Sequence, residues 1–355
     1  MVSIMKRIFL CDITTNVRYD EIQDRAIGGS EFQFYNLAYN ISKCKNIICY
    51  NKIEKEYQSE NIIYKNFTEI ENDKNIFNTN DTIVIQRLFP EINLLKKFKN
   101  CKVVIFIHDY DFNAVLFQFQ NSDKNKIDMI NYINANENIH FVFNSHFTQD
   151  YFNTNFLLNN MLINKTRQDV IYNMLYEDYF IRGNKKVNQK NLVYASGWNK
   201  GIFQIIRIFD YILTQDPSFK LILLSPGYEY ERFKDYSLYL KEKYKNNIII
   251  FGPVNKKQYC KIIESSACVL APAFPETFGC VFAEAYFLGT PVICDFKSGA
   301  VKEIIGSENV VNYENLNETY NKIISRINAN EKIELNEKFM FEYNFNLWKQ
   351  ILFLQ

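Results

Sequence analysis

A chain of 355 residues has room for two domains of ordinary size. With 47% hydrophobic and 23% charged residues it has a globular profile, which excludes a disordered chain, and a net charge of +1 leaves no global field to attract nucleic acid. No run approaches the ~20 apolar residues of a membrane span. The start, MKRIFLCDI, is too short for a signal sequence and reads as a first strand. The eight cysteines include no C-x-x-C pair, so they read as reduced, mostly buried thiols in a cytoplasmic protein.

In chain order, Lys6 to Cys11 read as a strand and Asp12 to Ala26 as a polar loop. Gly28 and Gly29 allow a tight turn, Ser30 can cap, and Phe34, Leu37, Ala38 and Ile41 mark the buried face of a helix. A glycine pair opening a helix after a first strand lets a phosphate or sugar approach the backbone, although such a pair is often only a turn. Strands follow at Asn46–Tyr50, Ile62–Tyr64 and Thr82–Ile85, while 54–60 and 69–80 read as loops or short helices. The apolar strand Val103–Ile107 ends in His108 and Asp109. That histidine either points outward from the strand end or packs there structurally. Phe112, Val115, Leu116 and Phe119 have helical spacing, read as a buried helix face in preference to an acceptor or membrane-surface patch. A strand at Ile139–Phe143 leads through Asn144 and Ser145 into a helix at His146, and Val170–Tyr172 precede a turn at Asn173-Met174.

The polar run Asn184–Lys190 is the best linker. Beyond it, strands at Asn191–Ala195, Lys220–Leu224, Ile248–Phe251 and Cys268–Leu270 alternate with helices, the signature of a parallel sheet. Lys200 lies at the first strand-to-helix turn, where it can meet a phosphate as a point charge or serve as a surface lysine. The most informative stretch is Ala271–Gly299: a Pro-rich break, then Thr277, Phe278 and Gly279, then a helix with Val281, Ala285 and Leu288 on one face. Gly289 stops that helix and Pro291–Cys294 start another strand. Glu276 stands before the helix and Glu284 eight positions on, ~12 Å at helical rise. Amides at a positive helix end lie between them, an arrangement suited to a diphosphate flanked by hydroxyls. On spacing alone, a helix N-terminal acid and an ordinary surface glutamate serve equally well.

PETFGCVFAEAYFLGTPVI, followed by SGAVKEIIG, resembles the donor-site signature of retaining GT-B glycosyltransferases of family four, whose E-x7-E pair is matched by Glu276 and Glu284. The resemblance is dense over Asn191–Gly306 and thin before Ile27. It implies a GT-B fold of two Rossmann-like domains facing across a cleft. The expected parts are an acceptor-side domain over 1–183, a donor domain over 184–335, and a terminal helix over 336–355 crossing back to the first domain. It further implies that Glu276 holds sugar hydroxyls and Glu284 the ribose. Lys200 and the Thr277, Phe278, Gly279 and Cys280 amides take the diphosphate. Val254 lies where the backbone meets the base, Gly28 and Gly29 face the donor, and His108 lies near the acceptor hydroxyl. The family's arginine before K-G is absent, with Ala195, Ser196 and Gly197 there, so Ser196 is its expected substitute. Met174 replaces the glycine of the family's N-G turn.

The implied reaction moves a sugar from a UDP- or GDP-linked donor to a glycan, lipid or protein hydroxyl, with retention and no metal. No nucleic acid is involved, and peripheral membrane contact is left open. Two alternatives are a nucleotide-sugar epimerase of the same fold and a catalytically silent nucleotide-sugar-binding module.

Overall fold

The computed structural model describes residues 7–12, 28–59, 61–72, 77–87, 91–109, 123–158, 167–176, 180, 188–224, 231–329 and 333–353. By its contacts the chain forms two compact units. The first holds the opening strand, the chain from Ser30 to Asn173 and the final stretch from Asn344. The second holds Met174–Tyr343 together with Gly28 and Gly29. The division falls at Asn173/Met174 because the next residues are engaged by the second unit. Leu175 bridges to Met340, and the Tyr176 ring lies 5.0 Å from that of Phe341.

The strands of the first unit are β1 (Ile8–Asp12), β2 (Ile47–Asn51), β3 (Tyr57–Ser59), β4 (Ile62–Asn66), β5 (Thr82–Gln86), β6 (Lys102–Ile107), β7 (Ile139–Phe143) and β8 (Gln168–Val170). Its helices are α1 (Gly29–Ser42), α2 (Thr68–Asn72), α3 (Ile92–Lys97), α4 (Asp123–Ala135) and α5 (His146–Leu158). They build one sheet in the order β3-β4-β2-β1-β5-β6-β7-β8, parallel except where β3 turns back on β4. Parallel strands covered on both faces read as near-continuous apolar runs, and β1 and β5 are buried at every position. The hairpin at β3 escapes the sequence pattern, because its short edge is fixed by the Tyr57 ring stacking on Tyr64 at 4.6 Å. β1 lies between β2 and β5, so the order reverses there. At that point Gln86 donates to the Ser30 carbonyl at 2.7 Å, tying the end of β5 to the start of α1. Ser145 caps α5 by accepting from the Thr148 amide at 3.0 Å. The apolar spacing Phe112–Phe119 lies outside the described residues.

The second unit contains β9 (Asn188–Tyr194), α6 (Ile202–Gln215), β10 (Lys220–Leu224), α7 (Lys234–Tyr244), β11 (Ile248–Phe251), α8 (Lys256–Glu264), β12 (Ser266–Leu270), α9 (Cys280–Phe287), β13 (Val292–Asp295), α10 (Val301–Ile305), β14 (Val310–Val311) and α11 (Leu316–Asn328). A last helix, α12 (Phe341–Phe353), begins in this unit, and its residues from Asn344 on belong to the first. The sheet order is β11-β10-β9-β12-β13-β14, all parallel. This is the doubly wound order whose ligand crevice lies where the strand sequence reverses, between β9 and β12.

The expected linker is corrected here. Asn188, Gln189 and Lys190 belong to β9, and 184–187 lie outside the described residues. β9 pairs with β10 from Asn191 on and with β12 from Asn188 on, and the Asn188–Ser266 pairing draws polar residues into the strand. α6 buries Ile202, Ile205, Ile206, Ile208, Phe209 and Ile212 against the sheet, the i, i+3, i+4, i+7 stripe of a helix covering a core. Truncating one of these isoleucines to alanine removes about 2–5 kcal/mol. The Tyr313 hydroxyl donates between the carbonyls of Ala271 (2.9 Å) and Ile293 (2.8 Å), joining the ends of β12 and β13.

Candidate functional site

The reversal between β9 and β12 brings two loops together. After β9, the Tyr194 hydroxyl donates to the Gly197 carbonyl at 2.8 Å, and buried Trp198 anchors a short 3-10 turn, Trp198–Lys200. Gly201, at φ +120°, ends that turn and starts α6. After β12, the chain runs through Pro272 and Glu276 to α9. Glu276 forms a parallel bridge with Gly299, which sits at φ +65°. The Glu276 amide donates to the Ser298 carbonyl (3.3 Å), and the Ala300 amide donates to the Glu276 carbonyl (2.9 Å). The Ser298 hydroxyl closes the loop on the Pro272 carbonyl at 2.5 Å. The SGA segment therefore functions as the backbone partner of the glutamate.

These anchors place Lys200 Nζ 2.9 and 3.0 Å from the two oxygens of Glu276. The residues are separated by 76 positions in sequence. Their side chains are 34% and 12% exposed, so the pair lies at an accessible edge. Ser196 is buried just before the turn, and Val254 is partly buried beyond β11.

Gly279 caps α9 in the left-handed region, at φ +86° and ψ +65°. A Cβ there would stand 2.6 Å from Phe282 Cδ2, so only glycine fits. Phe278 is buried, while Thr277 and Cys280 are partly buried. Gly29 is grouped with this same unit, and a Cβ on it would approach Cys280 Sγ to 3.0 Å. Gly28 is partly buried.

The helix geometry differs from its sequence expectation. α9 starts at Cys280, so Glu284 lies just over one turn inside, ~6 Å along the axis rather than two turns. No single face is apolar either, since Phe282, Ala283, Glu284, Ala285 and Tyr286 are all buried. The surrounding strands and helices enclose α9 nearly all round. Glu284 is consequently a buried carboxylate, its side chain 8% exposed, and its Oε1 is held by Lys256 Nζ. Sequence reasoning missed Lys256. The signal available was a lysine opening a helix whose first turn holds no acid. Tyr259, in the same helix, is buried, and burial together with the Glu284 charge pushes its phenol well above the ordinary range.

His108 belongs to the first unit, at the carboxyl edge of β6. It is 3% exposed, its ring lies 4.0 Å from Phe106, and its Nε2 has no hydrogen-bond partner among the described residues. Burial, helped by the Arg87 charge, lowers its pKa to about 3, so the imidazole is neutral near pH 7. His146 is exposed, at the start of α5. Asp109-Tyr110-Asp111 is a D-x-D sequence. Asp109 faces Arg87 at 3.6 Å, and Tyr110 and Asp111 lie outside the described residues. Among the described residues no three His, Cys, Asp or Glu side chains cluster as metal ligands.

The structure thus brings Lys200 to Glu276 on neighbouring loops, with Gly279 and Cys280 at the start of the helix that carries Glu284. Residues 180–340 match the family model described as glycosyl transferases group 1. No match arises among curated proteins. Several solved structures are similar over nearly full length. HepE from Anabaena, in complex with UDP-glucose, is 15% identical with a TM-score of 0.64, covering 98% of this chain and 96% of its own. Sucrose-phosphate synthase from Thermosynechococcus elongatus is 15% identical, with a TM-score of 0.67 and the same coverage. Trehalose-6-phosphate synthase OtsA is 12% identical with a TM-score of 0.71, covering 99% of this chain and 100% of its own. At such identities the likeness is one of fold. The chain has the GT-B fold of two Rossmann-like units, and the second unit carries the glycosyl transferases group 1 match.

Proposed function

We propose that this chain is a glycosyltransferase that moves a hexosyl or deoxyhexosyl group from a UDP- or GDP-linked sugar to an acceptor hydroxyl, with retention and without a metal. The observation that carries the reading is the meeting of Lys200 and Glu276 beside α9, inside the segment that matches the family model. The C1–O bond to the diphosphate breaks, the C1–O bond to the acceptor forms, and the acceptor hydroxyl gives up its proton. Charge develops on the departing diphosphate. Lys200 and the amides at the start of α9 stabilise it electrostatically. Glu276 binds the sugar hydroxyls, Glu284 the ribose, and His108 serves as a neutral group on the acceptor side.

In this reading Lys200 exchanges Glu276 for the diphosphate when the donor binds, a modest cost for a pair at an accessible edge. HepE, of the same fold, is described with UDP-glucose, which supports a nucleotide-sugar donor. No helix among the described residues is long and apolar enough to cross a membrane, and we place the reaction in the cytoplasm.

The test combines UDP- and GDP-sugars with a panel of glycan, lipid and peptide acceptors and reads products by mass spectrometry in excess chelator. A glycosylated acceptor of retained configuration supports the reading. Activity lost in chelator and restored by magnesium or manganese rejects the metal-free mechanism. Free nucleotide and epimerised sugar without acceptor point to the epimerase, and donor binding without any turnover points to the silent module.

A further inference from the structure

Lys256 is placed against the electrostatics of its own helix. Asn255 caps α8 by accepting from the Gln258 amide at 2.9 Å, which fixes Lys256 as the first helical residue. A cation there sits at the positive end of the helix dipole, and no acid in the first turn offsets it. The interactions that hold it come from Tyr259 one turn on in the same helix and from two residues elsewhere in the unit. Its ammonium lies 4.7 Å from the Phe180 ring centroid and 4.8 Å from that of Tyr259, and it contacts Glu284 Oε1. Phe180 is itself packed against Phe287, at the far end of the helix that carries Glu284, with ring centroids 5.7 Å apart. Two aromatic faces and one carboxylate oxygen thus confine a cation whose own helix repels it.

We propose that Lys256 is a positioning residue for nucleotide binding: by fixing one oxygen of Glu284 it orients that carboxylate to accept from a vicinal diol. It thereby sets the discrimination between ribo- and deoxyribonucleotides. The inference rests on reading Glu284 as the ribose carboxylate. A hydrogen bond to a charged acceptor is worth tenfold or more in affinity, provided the acceptor is charged and correctly aimed. A glutamate that swings away gives most of that back.

The test is titration calorimetry of the whole protein with UDP, GDP and their 2′,3′-dideoxy counterparts, on wild type, Lys256→Met, Lys256→Gln and Lys256→Arg. Melting temperatures are recorded for each. For the diphosphate that binds, the wild type is expected to prefer the ribo form by about tenfold or more. Lys256→Met and Lys256→Gln are expected to compress that preference to about threefold or less, and Lys256→Arg to keep it. A neutral variant that melts near wild type and retains the full preference overturns the proposal while leaving the Glu284 assignment standing. A wild type with no ribo preference overturns the Glu284 assignment, and the proposal with it. A preference lost equally in Lys256→Arg, with normal melting, also overturns it, because the arginine supplies the same charge to the carboxylate.

Discussion

Acidification from about pH 7.5 to about pH 5 isolates the buried imidazole of His108. Its folded-state pKa is about 3, against an ordinary 6.5, chiefly because burial disfavours the charged ring. Below pH 6.5 the unfolded chain therefore takes up a proton that the folded chain refuses. Stability is complete above that value and is lost progressively as pH falls toward 3. Each pH unit inside the window costs about 1.4 kcal/mol, so at pH 5 the loss is about 2 kcal/mol. The assay is urea unfolding of wild type and His108→Gln across this range, with the variant subtracted to cancel the other titrating groups. The wild type should lose about 2 kcal/mol more than the variant between the two ends. A difference that stays constant refutes the buried, neutral assignment. An acid limb in kcat/KM near pH 6.5 that disappears in the variant refutes it independently, because a ring of pKa about 3 does not change charge there.

Glu284→Ala is expected to weaken nucleoside diphosphate and nucleotide sugar alike, each by about tenfold or more, as read by calorimetry. Unchanged affinity for the bare diphosphate removes the ribose role. Glu276→Ala is expected to leave diphosphate affinity near normal, since it releases Lys200, while kcat falls by about 10²–10³-fold. A tenfold or greater loss of diphosphate affinity in that variant would contradict the sugar-side placement. Gly279→Ala combines a φ of +86° with a contact 2.6 Å from Phe282, and should lower the melting temperature and abolish donor binding. A variant that melts and binds normally would show that the start of α9 can reshape.

The parts of the site legible in the sequence are those fixed by local backbone chemistry. Gly279 and Gly289 mark where α9 begins and ends, each at positive φ, and the apolar run before Ala271 reads as β12 because a buried parallel strand has no polar face. Glu276 and Glu284 were visible as a spacing. Their surroundings were not, because Lys200 and Lys256 reach them from a turn and a helix start 76 and 28 positions away, and only the sheet order brings those segments together. Glu284 read as two turns deep because regular helical rise was extended backward over a segment that instead bridges to Gly299. β9 read short for a related reason. Asn188 and Lys190 carry no strand propensity, and the strand is extended to them by the pairing of Asn188 with Ser266 of β12. His108 was legible as a strand-end residue, whereas its burial against Phe106 depends on packing that no local pattern encodes.

The division of α12 has a consequence for how the molecule is made. Trp348 is fully buried in the first unit, its ring 4.9 Å from Phe106, and Lys102 Nζ donates to the Ile351 carbonyl at 2.5 Å. β6 thus completes its packing with residues translated after the whole second unit. A ribosome that has released residues 1–173 has delivered seven parallel strands and the hairpin edge but not the tryptophan that covers them. Loss of so large a buried side chain costs about 3–5 kcal/mol, a substantial share of the 5–15 kcal/mol that stabilises a typical domain. The second unit, apart from its glycine pair, is one continuous stretch and can close while the last helix is still being synthesised. The half of the protein that emerges first is therefore the half that finishes folding last.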